Sequence, residues 1–388
     1  MNILFLDWDC FGKTAAISAW EELGHHVFLF MHKDFDTRIS EDYERSFDQF
    51  VCENPIDFCF SFNYFPVLSE AAKKHDLPYI SFVYDSPHVM LYSYTIINPN
   101  NHVFLFDRME CIKLQSMGIS TVQYLPLPAD TTSIRSLLQQ PYDTDKLSAE
   151  VSFVGSLYHE SHNLFDRLSN VNSYTKGYLD AIMQAQLEIS GYNFIEEVLP
   201  KDIVNEMQRV LQYDNRRYGV ETLEYIFAHY VIDRKITQIE RKKLLSAAAM
   251  HSRLRLYTLD SSAVITNATN MGPVSYTTEM PLIFHNSKIN LNISLRSIRS
   301  GIPLRCMDIL GAGGFLLTNY QADLFEHFTS DVDFVYYEDE NDMLSKIDYY
   351  LTHDKKRKEI AANGYEKVLK SHTFTKRFAE ILELSHIC

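Results

Sequence analysis

The chain has 388 residues, 46% of them hydrophobic, with only 13 Gly and 12 Pro. That length favours two or three domains, and that composition excludes a disordered or low-complexity polymer. A net charge of −15 argues against a nucleic-acid binder that grips phosphates, since such domains need a basic face.

The N-terminal "MNILFLDWD" turns acidic after six residues and has no basic n-region, so it reads as a strand and not as a signal peptide. "NILFLD" (2–7) is a short apolar run of the kind that forms a buried parallel strand. "TAAISAWEELGHHVFLF" then gives a helix, Gly24 at its end and a second strand, which makes a βαβ unit. The pattern repeats through "DYERSFDQFVCEN", "IDFCFSFN", "PVLSEAAKKHD", "LPYISFVYD", "HVFLFD", "RMECIKLQSMG" and "TVQYLPLP". Residues 1–140 are therefore expected to form an open α/β domain. Ligands of such sheets sit beyond the carboxyl ends of the strands, here Asp7-Trp8-Asp9, Asn63-Tyr64, Asp85-Ser86-Pro87-His88 and Asp107-Arg108.

"QQPYDTDKLSAE" (139–150) is polar, without strand period, and reads as a linker. A second α/β domain is expected over 149–372. It opens with "VSFVGS", is interrupted by an all-helical insertion at about 160–250, and resumes with "LRLYTL", "INLNIS" and "VDFVYYED". Residues 373–388 are expected as a terminal helix packing back on the first domain. The six cysteines, at 10, 52, 59, 111, 306 and 388, form no Cys-x-x-Cys pair, so reduced thiols in a cytoplasmic protein are the expectation. No apolar stretch reaches the ~18 residues that a membrane span needs.

The chemistry concentrates in "SGIPLRCMDILGAGGFLLTN" (300–319). Pro303 suits the first turn of a helix and Gly301 permits close approach of a ligand. The N–H groups and positive dipole end of that helix favour an anion such as a diphosphate. Arg305 in the first turn, with Arg296 and Arg299 in the preceding loop, opposes helix stability but suits phosphate recognition. Asp308, one turn on, would accept hydrogen bonds from ribose hydroxyls. The competing account is plain punctuation: loops in α/β folds favour Gly, and helix starts favour Pro. Neither Gly-x-Gly-x-x-Gly nor a Walker-type loop occurs, and Gly12-Lys13-Thr14 lacks the upstream glycine.

From about 285 to 380, the segments "SKINLNISLRSIRSGIPLRCMDILGAGGFLLTN", "DFVYYEDENDMLSKIDYYL" and "IAANGYEKVLKSHTFTKRF" resemble the C-terminal domain of GT-B glycosyltransferases. The nearest likeness is to the spore-maturation-protein-like (CgeB-like) group. "YDSPH", "VFLFDR", "YLPLP" and "VSFVGS" look like the N-terminal half that accompanies such a domain. The resemblance implies an α/β GT-B fold: two Rossmann-like domains facing a cleft, the first on the acceptor side and the second holding a nucleotide-sugar donor. It implies metal-independent transfer, retaining in many members, with no cofactor beyond the donor. It places Asp308 at the ribose and Gly301, Ile302, Pro303 and Arg305 near the diphosphate. Gly155 and Asn292, at strand ends, and Arg296 and Arg299 complete the expected donor set. Where many retaining members carry a second Glu near the sugar, this chain has Ser300-Gly301.

On the first domain, Asp85 would serve as base toward an acceptor hydroxyl and His88 would hydrogen-bond the donor sugar. The alternative is a structural Asp-Ser-Pro turn with a solvent-exposed His. Gly12 and Lys13 would approach the donor phosphate, or Lys13 is a solvated surface lysine. Backbone near Tyr257 to Asp260 would read the base. His159 and His162 have a metal-compatible spacing, but a solvent-facing edge of the insertion explains them better, and no metal ligand is assigned. The 24 Tyr and 25 Phe read as core packing. The partners implied are a nucleotide-sugar donor and a protein, glycan or small-molecule acceptor, with homo-oligomerisation through the insertion also compatible. The competing function is a non-catalytic nucleotide-sugar-binding or structural protein of cell-surface or spore-coat assembly.

Overall fold

The structure, a computed structural model, describes residues 1–158, 163–214 and 218–387. The chain divides into two compact units. One comprises residues 1–128, 214–222 and 374–388, and the other residues 129–213 and 223–373. Each is built on a six-stranded sheet in which every pair of neighbouring strands is parallel.

The first sheet uses β1 (Asn2–Leu6), β2 (His26–Phe30), β3 (Phe58–Phe62), β4 (Tyr79–Val83), β5 (Asn101–Leu105) and β6 (Val122–Tyr124) in the order β2-β1-β3-β4-β5-β6. The central strands FCFSF and YISFV are buried along their whole length, which is why they read as continuous apolar runs and not as alternating ones. Side-chain caps start the covering helices: Ser40 Oγ accepts from the Tyr43 N–H at 3.0 Å, and Asp107 accepts from Met109 and Glu110. The helix Phe374–Ser385 belongs to this unit. Its Phe378 ring stacks on Trp20 of the helix Lys13–Glu22, with centroids 4.2 Å apart.

The second sheet uses β7 (Val151–Val154), β8 (Leu254–Tyr257), β9 (Thr269–Asn270), β10 (Ile289–Asn292), β11 (Leu316–Asn319) and β12 (Val335–Tyr337). Its order, β12-β11-β10-β7-β8-β9, places the reversal of strand order between β7 and β10, which is where open α/β sheets bind ligands. In the first sheet the same reversal falls between β1 and β3. The helical insertion is an oversized crossover from β7 to β8, carried by helices Ser173–Leu187, Lys201–Leu211 and Asp233–His251, with a wide π turn at Phe227–Ile232.

The boundaries differ from the sequence expectation in two places. The first stretch of the first unit ends at Pro128 and not near 140. The polar segment read as a linker is instead fixed to the second unit: Tyr257 Oη donates to the carbonyls of Lys146 and Ser148 at 3.1 and 3.3 Å, and Lys146 Nζ meets Glu279 at 2.8 Å. Residues 214–222, inside the expected insertion, belong with the first unit. There the Val220 N–H donates to the Tyr92 carbonyl at 2.8 Å, and Glu221 forms a buried ion pair with Arg38 at 2.9 Å.

Candidate functional site

The stretch from Ser300 forms the turn and helix that its sequence suggests. Gly301, Ile302 and Pro303 are buried, and the helix Leu304–Gly311 follows, with Pro303 one residue outside it. Pro303 at the N-cap gives this helix no side-chain cap; the Cys306 N–H donates to the Pro303 carbonyl at 2.9 Å, and a start of this kind leaves the two earlier N–H groups to another acceptor. In the first turn, the Arg305 guanidinium donates to Asp308 Oδ2 at 3.1 Å, touches the Met280 sulfur and lies 5.6 Å from the Phe284 ring centre. Tyr276 Oη donates to the other Asp308 oxygen at 3.0 Å. Burial pushes the Asp308 pKa up to about 6, against the opposing pull of Arg305 and the Tyr276 hydrogen bond, and Asp130 adds to the rise. A cation, a carboxylate and a phenol are thus gathered at one uncapped helix start.

The three arginines do not act as one set. Arg296 is committed elsewhere: its guanidinium forms a two-point ion pair with Glu240 at 2.6 and 2.9 Å and donates to the Ile189 carbonyl at 2.9 Å. Arg296 and Arg299 line a cavity of about 350 Å³ between the insertion and the ends of β10–β12, and Arg305 is not part of its lining. Local spacing alone had grouped them; the salt bridge to a helix 56 residues upstream separates them.

Other expected donor residues also have structural employment. Asn292 is buried and its amide donates to Ser294 Oγ and Thr318 Oγ1 at 3.1 and 2.9 Å, so it ties β10 to β11. The Tyr257 side chain is spent on the segment before β7. Gly155 follows β7, beside the buried Arg241, which sequence reasoning missed. Arg241 donates to the carbonyls of Ser156 at 2.5 Å and Ile293 at 2.6 and 3.1 Å, bridging the two strand ends at the reversal of strand order. An arginine within the apolar stripe Leu244, Leu245, Ala248 of one helix was the available signal. Tyr276 lies in an irregular loop and had no such signal.

In the first unit, Asp85 is exposed and one of its oxygens accepts from Asn63 at 2.7 Å. His88 is half-buried and its Nε2 sits 2.9 Å from the Tyr64 carbonyl and 3.1 Å from the Tyr64 N–H; burial pushes its pKa down. It is therefore neither a solvent-exposed histidine nor a free donor. Lys13, with its side chain 30% exposed, is ion-paired: Nζ lies 3.0 and 2.9 Å from Asp7 Oδ1 and Oδ2. Gly12 has φ of 76° at the start of its helix, where a Cβ would come within 3.2 Å of the Phe374 ring. His159 and His162 lie outside the described residues. Among the described residues, His32, Asp34 and Asp42 gather their ligand atoms within 4.8 Å; the Ser40 hydroxyl and the Asp34 N–H already hold the first two by hydrogen bonds.

A family model described as "Glycosyl transferase-like" matches residues 234–383. No curated protein matches the chain. Among solved structures, an alpha-glucosyltransferase in complex with UDP and a 13-mer DNA containing a HMU base aligns over 100% of this chain and 99% of its own, at 10% identity and a TM-score of 0.55. A glycosyltransferase from Rickettsia africae ESF-5 aligns over 99% and 97%, at 10% identity and a TM-score of 0.52. Anabaena HepE in complex with UDP-glucose aligns over 100% of both chains, at 11% identity and a TM-score of 0.52. Two parallel six-stranded sheets, each with a strand-order reversal, and end-to-end alignment with these enzymes give the chain the GT-B glycosyltransferase fold.

Proposed function

We propose that this protein is a glycosyltransferase that moves a hexosyl or related sugar from a nucleoside diphosphate, UDP first, to a hydroxyl group on a protein, glycan or small molecule. The observation that carries the reading is the joining of Arg305, Asp308 and Tyr276 at an uncapped helix start in the second unit. Helix N–H groups and Arg305 would take the charge that develops on the departing diphosphate, so the reading needs no metal and no cofactor. Asp308 would accept from the ribose hydroxyls. In transfer the bond from the anomeric carbon to the diphosphate oxygen breaks, a bond to the acceptor oxygen forms, and the acceptor proton leaves to a base. Asp85, exposed, is our choice of base, and His88 positions the Tyr64 backbone. The UDP preference is taken from the two relatives solved with UDP and UDP-glucose. The CgeB-like likeness and a retaining outcome belong to the same reading, as does a cytoplasmic location. Among the described residues, no helix is long and apolar enough to cross a membrane.

A second reading has one observation in its favour. Ser300, where many retaining enzymes carry a Glu, is buried and hydrogen-bonds Asp323 at 3.3 Å. A binding protein without transfer activity would keep the donor site and lack that carboxylate. A melting screen against UDP, GDP, dTDP, CDP and ADP, with and without Mg²⁺, tests the shared part. A ligand at 100-fold over its Kd stabilises by about 2.7 kcal/mol. One metal-independent nucleotide hit, followed by transfer from its sugar to an added acceptor, is the expected result. Binding without transfer selects the second reading, and no shift with any nucleotide refutes both.

A further inference from the structure

The helix Asp233–His251 turns one face toward the loop that joins β10 to the Arg305 helix. Asp233, Thr237, Glu240 and Arg241 recur at helical spacing, and each is tied to that loop. The Thr237 hydroxyl accepts from the Arg296 N–H at 3.0 Å, and Glu240 takes the Arg296 guanidinium at 2.6 and 2.9 Å. Asn193 donates to Asp233 at 2.8 Å and to the Arg296 carbonyl at 2.9 Å, which links those two. Arg241 holds the first residue after β10: Nε and Nη2 donate to the Ile293 carbonyl at 3.1 and 2.6 Å. Its Nη1 donates to the Ser156 carbonyl, just beyond β7, at 2.5 Å. One side chain thus spans the two strands between which the order of the second sheet reverses, the place where open α/β sheets take their ligands.

Arg241 differs from its neighbours in how its charge is met. It is 8% exposed, its three nitrogens all donate to backbone carbonyls, and the rings of Phe153 and Tyr158 lie 5.3 and 4.8 Å from its guanidinium carbon. Carbonyl dipoles and ring faces solvate a cation without cancelling it. Among the described residues no carboxylate is paired with Arg241, and the adjacent Glu240 is spent on Arg296. Arg296 therefore brings its own counter-charge and Arg241 does not. Burial pulls the Arg241 pKa below the usual guanidinium value, and the charge of Arg305 adds to that pull, so the two cations act in one field. A buried cation without a counter-charge is costly, and an anion bound near it offsets the cost.

We propose that Arg241 is a positioning residue for the donor diphosphate: it fixes the ends of β7 and β10 and supplies a positive charge that the surrounding fold leaves uncancelled. This rests on the transferase reading and adds to it a residue from the insertion, outside the Arg305 turn. The test is NMR titration of the full chain with UDP and with uridine. A charge acts on the diphosphate, whereas a loosened loop acts on both ligands. Arg241→Gln is expected to weaken UDP at least about tenfold more than it weakens uridine, the scale of one charge pair about 10 Å apart at an effective dielectric of about 20. Thr237→Val frees the same loop without touching a charge and is expected to weaken both ligands by similar factors. Arg305→Gln, at a side chain 28% exposed, is expected to leave UDP bound more tightly than uridine, and it carries the test if Arg241→Gln does not fold. Parallel losses of UDP and uridine in Arg241→Gln, a loss confined to UDP in Thr237→Val, or disappearance of the UDP preference in Arg305→Gln alone would each overturn the role of Arg241 and leave the transferase reading standing. A wild-type chain that binds neither ligand would overturn that reading, and the role of Arg241 with it.

Discussion

Replacing Asp308 by Asn separates what this residue does for the fold from what it would do for a ligand. The side chain is only 11% exposed and accepts from Tyr276 and Arg305, yet burial dominates and lifts its pKa from 3.8 to about 6. Because the native carboxyl holds its proton more tightly than the unfolded one, it contributes stability that is complete below about 3.8 and lost as pH rises through about 6. Between about pH 5 and about pH 7.5 the wild type should lose on the order of 1 kcal/mol from this group, and the variant nothing. Urea unfolding at the two pH values should therefore show the variant gaining on the wild type by about that amount at the higher pH. Nucleotide binding should move the other way. Losing a hydrogen bond to a charged acceptor costs roughly 1.5–3 kcal/mol, or roughly ten- to a hundredfold in Kd. Calorimetric titration with UDP at about pH 7.5 reads it directly. An unchanged Kd would refute the ribose assignment, and a pH-independent stability gap would refute the account of burial.

Two further outcomes follow from charged groups in the helical part and beside it. His229 is 4% exposed and bridges Asp233 at 2.7 Å and Glu196 at 2.9 Å; burial alone would lower its pKa, but the two carboxylates hold it up to about 9. Its contribution is complete below about 6.5 and is lost as pH rises through about 9, so wild-type melting temperature should fall over that window more steeply than that of His229→Gln. Arg38 and Glu221 are paired at 2.9 Å with side chains 4% and 2% exposed, and Glu221→Ala should cost about 3–5 kcal/mol in urea unfolding because it strands a buried cation. A cost below about 1 kcal/mol would mean that the guanidinium reaches water when its partner is gone.

Apolar runs made most of the sheet framework legible, since strands buried on both faces announce themselves by length and content. β9 escaped because two residues, Thr269 and Asn270, carry no period at all. At the candidate site, the helix start and the carboxylate could be read because Pro303, Arg305 and Asp308 act locally, within one turn. What sequence could not give were the long-range commitments. Glu240 takes Arg296, Thr318 takes part of Asn292, and Tyr276 reaches Asp308 from 32 residues upstream. Hydrogen bonds of that reach depend on how the chain closes, and closure leaves no mark in a local pattern. The linker misreading has the same origin: polar composition marked the exposure that most of 139–146 has, but it could not show that Tyr257 and Glu279 pin the segment to the second unit.

The path of the chain has a consequence for anyone who would take the protein apart. Residues 214–222 sit with the first unit although the stretches on either side sit with the second, and the last fifteen residues return to the first as well. The peptide thus passes from one unit to the other four times, after 128, 213, 222 and 373. No single cut yields two intact halves. A recombinant half ending at 128 would lack the partner of Arg38 and the ring that covers Trp20, and would present both as bare surface. Chimaeras that exchange this first unit for that of another protein must therefore be drawn as three separate grafts, or the exchange will be scored as a loss of function when it is a loss of folding.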